Sequence, residues 1–260
     1  MQTRETQRNE GRLLAGRLPA QRSSFLLGLL LVVYSSCLAQ NDRQLWTDFQ
    51  IDYPFGGQYL VEATASYQTL LNKDQEWRAF YFTPAFEFTR FRQVDLLFNV
   101  PIGFTRQQPG NATHEADPSL GARFRVSQGK RIDLNIIAKA EERFFYQVES
   151  QQWTSSNRLR LKAEVFISLN GPNLFTDRLL YSIADYEEFI VTDQQLNERY
   201  ANLRRARIGL GYRYSYGHRF ELIYTKQSSR DQISDSFATS NDILQVRYIL
   251  YLNPATAVKP

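Results

Sequence analysis

Hydrophobic and polar residues alternate with a period of two along most of the chain. In 204–226, RRARIGLGYRYSYGHRFELIYTK, residues Ala206, Ile208, Leu210, Tyr212 and Tyr214 share one parity, and Arg205, Arg207, Gly209, Gly211 and Arg213 share the other. Past a Ser-Tyr-Gly-His turn, Phe220, Leu222 and Tyr224 alternate with Arg219, Glu221 and Thr225. Successive side chains of a strand point to opposite faces, so this hairpin has one greasy and one charged face. Eleven segments carry the pattern: roughly 45–54, 58–69, 77–89, 94–105, 118–127, 131–146, 153–168, 178–191, 200–215, 218–227 and 241–252. Most run about 10–16 residues, against about 5–6 in a soluble sheet and about 9–11 for a tilted membrane-crossing strand.

The two faces have distinct chemistry. Phe80, Phe82, Phe86 and Phe88 share a side, as do Val94, Leu96, Phe98, Val100, Ile102 and Phe104, and Leu159, Leu161, Ala163, Val165 and Ile167. The opposite faces are rich in charge. This parity places Arg123, Arg125, Lys139, Arg158, Arg160, Lys162, Arg205, Arg207, Arg213, Arg219 and Arg247 on the inner side, with Glu62, Glu87, Asp95, Asp133, Glu141, Glu164 and Glu221. Such a chain predicts an all-β fold: a transmembrane, antiparallel, up-and-down β-barrel of about ten to twelve strands, greasy outside and charged within.

Loop lengths fit the same picture. Short links at Pro54–Gln58, Arg90–Gln93, Ser127–Lys130 and Ser215–His218 alternate with longer polar stretches at 70–76, 106–117, 147–152, 192–199 and 228–240. Outer-membrane barrels have short periplasmic turns and longer outside loops. The parity conflicts at one place. Segment 45–54 would start at the outer rim, although a secreted chain should start in the periplasm. Either it is an extra strand on a barrel of ten, or one strand of twelve is hidden; an even count is expected, and twelve is favoured. Pro84 and Pro101 interrupt two strands and predict bulges, close together if the strands pair through Arg90–Gln93.

Composition and the first forty residues sharpen the class. Aromatic residues make up 14% of the 260 and the formal net charge is +4. No run of about 20 apolar residues follows residue 40, which argues against a helical membrane bundle. The modest charge, without a basic run, excludes nucleic acid as the expected partner. Residues 1–39 read as an N-terminal extension and signal peptide: basic residues to Arg22, an apolar core from Phe25 to Tyr34, then SSCLAQ, with cleavage after Ala39. Cys37 lies in this leader; as a lipidation site it has a poor match in Tyr34. The mature chain then lacks cysteine, so disulfide and thiol chemistry are excluded. The barrel is expected over 40–252, followed by a tail, 253–260. The expected location is the bacterial outer membrane, with its lipid and the barrel-assembly machinery as partners.

The chain resembles the bacterial outer-membrane family catalogued as domain of unknown function 2490. The resemblance covers about residues 45–252 and rests on LWTDFQI, on ERYANLRRARIGLGYRY followed by GHRFELIYTKQ, and on DILQVRYILYL. It implies an outer-membrane barrel and supplies no catalytic, binding or cofactor residue. The sequence continues past Tyr251 with NPATAVKP, where many such barrels end on an aromatic assembly signal.

Three uses of the inner charges compete. They form internal bracing, they line a narrow cation-rich path for small solutes, or they belong to a ligand site. An outer-membrane lipid hydrolase is a second class of reading. It would use His114, with Thr113, Asp117 and Ser119 as candidate companions. A third is a soluble periplasmic β-protein binding lipid or sugar. No cofactor or metal motif is visible: Asp231 and Asp235 lack calcium-loop spacing, and Asn111-Ala112-Thr113 reads as a chance triplet. His218 reads as a turn residue. Trp46, Trp77, Tyr212, Tyr214, Tyr216, Tyr224 and Tyr251, all near strand ends, suggest interfacial aromatic girdles.

Overall fold

A computed structural model describes residues 42–71, 77–107, 111–127, 131–192, 203–230 and 237–252. The leader with Cys37, the tail, Asp231 and Asp235 lie outside the described residues. The strands are β1 (Asp42–Phe55), β2 (Tyr59–Leu70), β3 (Trp77–Phe88), β4 (Val94–Asn99), β5 (Ile102–Gln107), β6 (Asn111–Ala116) and β7 (Ser119–Ser127). They continue as β8 (Ile132–Gln147), β9 (Gln152–Ser168), β10 (Leu179–Val191), β11 (Leu203–Ser215), β12 (His218–Arg230) and β13 (Phe237–Tyr251). β3 pairs with both β4 and β5, and β8 with both β6 and β7, so β4–β5 and β6–β7 are each one stave with a break. The result is a closed barrel of eleven staves.

The closure departs from the expected even count. Every neighbouring pair is antiparallel except the seam, where β1 runs parallel to β13 from Asp42↔Asn241 to Asp52↔Tyr251. With an odd number of alternating staves, one pair must be parallel. The direction of 45–54 is therefore real, and among the described residues no twelfth strand is hidden. Asp48 clasps the seam from within. Its carboxylate accepts hydrogen bonds from Ser66 of β2 at 2.7 Å and from Gln245 of β13, with Arg247 at 3.4 Å.

The predicted loop 106–117 is the second correction. Most of it is strand, since β6 pairs Gln107↔Asn111 through Ile102↔Ala116 with β5. The outward residues of NATHEA are Ala112, His114 and Ala116, which give no apolar alternation to read. The link 169–178 is the third. It joins β9 to β10 at the end otherwise made of short turns, such as Gly56–Gly57 with φ of 60° and 70°. Conversely, β8 and β9 are joined at the other end by only residues 148–151.

The expected bulges are absent as extra residues. Asn99↔Ala85 and Ile102↔Phe82 leave two residues unpaired on each side, so register is kept across the break. The same holds at Asp117–Pro118 opposite Glu142–Arg143. Pro84, Pro101 and Pro118 line up across three adjacent staves. Lacking N–H groups, they still accept: Val100 donates to the Pro84 carbonyl at 3.0 Å, Asp117 to Pro101 at 2.9 Å, and Glu142 to Pro118 at 3.0 Å.

Outward positions are apolar and exposed: Phe80 is 50% exposed, Phe98 47%, Leu161 48% and Ile208 50%. Inward positions are buried, including Glu87, Asp95, Glu141, Arg158 and Glu187. Near the short-turn end, Leu179, Tyr181, Ile183 and Ile223 form a small apolar layer inside the barrel, against which Phe166 and Leu174 pack.

Candidate functional site

Eleven strands about 4.8 Å apart and tilted about 40° close a ring about 22 Å across between backbones. The inward side chains must fill or line that bore. Their pairing runs along the wall, between neighbouring or next-neighbouring strands, rather than across the centre as long arginines might suggest. Arg123 grips Glu87 with two hydrogen bonds of 2.8 and 2.7 Å, and Arg125 holds Asp95 at 2.7 Å. Arg158 and Arg160 share Glu141, Arg160 also reaching Glu187 at 2.6 Å. Lys162 pairs with Glu164 on its own strand, and Arg207 with Asp185 at 2.7 Å. Arg247 bridges Glu221 at 3.2 Å to Asp48.

The remaining predicted cations have other partners. Arg205 donates to Gln227 at 2.8 Å and lies over the rings of Trp46 and Phe189. Arg213 donates to the Leu174 carbonyl at 3.0 Å, tying the 169–178 link to the wall, with Asp177 at 3.7 Å. Arg219 stacks over Tyr251. Lys139 donates to Asn99 at 2.9 Å, and Ser119 donates to the same oxygen at 2.6 Å.

Several participants escape a reading by parity alone. Asp185 and Glu187 share their inward face with Leu179, Tyr181 and Ile183, so β10 looks apolar on both sides. Asp48, Glu115 and Arg143 also face in, Arg143 holding Glu115 at 2.8 Å. Trp46 and Tyr251 belong to the lumen rather than a girdle. Trp46 donates to Gln44 at 2.8 Å, and Tyr251 lies under Arg219. Strand-end position suggested a girdle, but parity decides the face.

A tyrosine–glycine–glutamate device occurs twice across three staves. Tyr181 of β10 pairs with Gly211, which pairs with Glu221, and the phenol donates to Glu221 at 2.7 Å. Tyr81 of β3 pairs with Gly103, which pairs with Glu115, and its phenol donates to Glu115 at 3.1 Å. Each ring occupies the space a side chain at the glycine would need.

Between the paired walls lie two adjoining cavities of about 170 and 120 Å³, both lined by Glu62, Glu87, Leu97 and Lys139. The hydrolase candidates are not assembled there or elsewhere. His114 points outward, stacked between Phe104 and Tyr146, while Asp117 and Ser119 are buried on the inner side. His218 opens β12 on the outer face, its Nδ1 2.6 Å from the Tyr248 hydroxyl. No protein-family model matches the chain, and no curated protein matches it.

Proposed function

We propose that this chain is an integral outer-membrane barrel whose role is structural, with a lumen that is braced along its walls and closed toward the short turns. The observation that carries this reading is the inversion of faces: exposed Phe, Leu and Ile outside, hydrogen-bonded ion pairs inside. On β11 the outward run from Ala206 to Tyr214 covers about 27 Å of strand, or about 21 Å along the axis at 40° tilt, near the apolar band of about 25 Å in outer-membrane barrels. The half-buried Glu188–Arg204 pair, at 2.9 Å, marks the upper edge of that band. His218, Phe220 and Tyr248 cluster at the other. In this reading the short turns form the periplasmic rim. Arg213, Leu174 and the apolar layer obstruct that rim from within.

Membrane fractionation and heat-modifiable migration in detergent gels test the reading. A chain recovered in the soluble periplasmic fraction, without a heat shift, refutes it. A narrow solute path is the second reading, favoured by the cavity of about 170 Å³. A reproducible conductance of the unaltered chain in planar bilayers would establish the path and overturn closure.

A further inference from the structure

The inward faces of β1 to β4 carry Asp48, Asp52, Glu62, Glu87 and Asp95 and no lysine or arginine. The cations that line the cavities, Arg123, Lys139, Arg160 and Lys162, stand on the staves that follow round the wall, β7, β8 and β9. The cavities lie where that acidic wall meets those cations. Most lining charges are already matched: Glu87 by Arg123, Glu187 by Arg160, Glu164 by Lys162. Two are not. Glu62 makes no hydrogen bond or ion pair among the described residues, although it lines both cavities. Its neighbour in register is Asp52, and Glu87 stands on the next stave, so its surroundings favour a positive group. Lys139 uses one of its three donors, toward Asn99. Its stem lies over Gly121, where an added Cβ would come within 2.6 Å of Lys139 Cγ, and Lys139 lines both cavities.

We propose that this chamber is a binding site for a small zwitterion, whose cationic end meets Glu62 and whose anionic end meets Lys139. Two ionisable groups of opposite sign, neither in an ion pair among the described residues, face one cavity from different walls and suit a solute that carries both charges. The volume suits a molecule of a few heavy atoms. The proposal concerns only the lumen and does not depend on the lipid surrounding the barrel.

The test is calorimetric titration of the full chain, folded in detergent, with glycine, β-alanine and γ-aminobutyrate, which separate their charges by increasing lengths. Acetate and methylammonium serve as single-charge controls. Binding of at least one amino acid, weakened about tenfold or more by Glu62→Gln and by Lys139→Met, is expected, with neither control binding. Retention of the heat-modifiable gel shift shows that each variant is folded. Absence of binding by every amino acid overturns the proposal. So does binding that both variants leave unchanged, or binding of a control as strong as that of the best amino acid. Should a variant fail to fold, the comparison of amino acids with controls on the unaltered chain decides alone.

Discussion

Replacing Gly211 with alanine should be costly for one reason only, and the cost should vanish when that reason is removed. A Cβ at Gly211 would lie 2.1 Å from Tyr181 Cζ, 2.4 Å from Cε2 and 2.6 Å from the hydroxyl oxygen, so the three nearest heavy atoms all belong to that side chain. The ring is packed with Ile183 and Ile223 and cannot slide aside. It must swing away, losing the hydrogen bond to Glu221, which is worth about 1.5–3 kcal/mol to a charged acceptor. Displacing a packed side chain adds about 1–3 kcal/mol. The expected destabilisation is therefore about 2.5–6 kcal/mol. In a Tyr181→Ala background the three atoms nearest that Cβ are gone. Alanine then restricts the unfolded backbone more than glycine and should stabilise by about 0.5–1 kcal/mol, reversing the sign. Urea unfolding in detergent, followed by the fluorescence of Trp46, Trp77 and Trp153, measures all four corners of the cycle. An equal cost of Gly211→Ala in both backgrounds would refute the reasoning. Gly103→Ala should behave alike against Tyr81, where the contact would be 2.3 Å.

Three further outcomes follow from other parts of the barrel. Leu161→Lys, on the outer face, should cost about 2–4 kcal/mol in lipid vesicles if that face meets hydrocarbon, and within about 0.5 kcal/mol if it meets water. Asp48→Ala should destabilise by about 3–5 kcal/mol, because Arg247 and Gln245 lose their acceptor inside the seam; an unchanged urea midpoint would remove Asp48 from the closure. Replacing 169–178 with a two-residue Asn-Gly turn should raise single-channel conductance in planar bilayers, since it removes Leu174 and its anchor to Arg213; identical traces would place the obstruction elsewhere.

The staves were legible where their outward residues are large and apolar. β8 and β9 are bounded within a residue or so of their alternation, and Pro84 does not disturb the shared parity of Phe82 and Phe86. β6 was illegible because Ala112, His114 and Ala116 offer little contrast with Thr113 and Glu115. The charged inner face was legible as a set of cations, but not as a set of pairs. Which carboxylate meets Arg160 depends on the register of β9 against β10, and Glu187 sits in a strand whose inner face begins with Leu179, Tyr181 and Ile183. The parallel seam depends on residues nearly two hundred positions apart, as with Asp48 and Arg247, so local pattern could signal only its symptom, a first strand pointing the wrong way.

The seam makes β1 a removable stave. β2 is antiparallel to β1, and β1 is parallel to β13, so β2 and β13 are antiparallel to each other and could join directly if β1 were withdrawn. The wall would then hold ten strands in plain up-and-down alternation, narrower by one. Its first strand would start at the same rim where the last one finishes. With β1 in place the barrel's two ends emerge from opposite rims, and no short linker can splice them. A permuted chain with its old ends fused is buildable only without β1, and fusions to the two termini report on opposite mouths of the barrel.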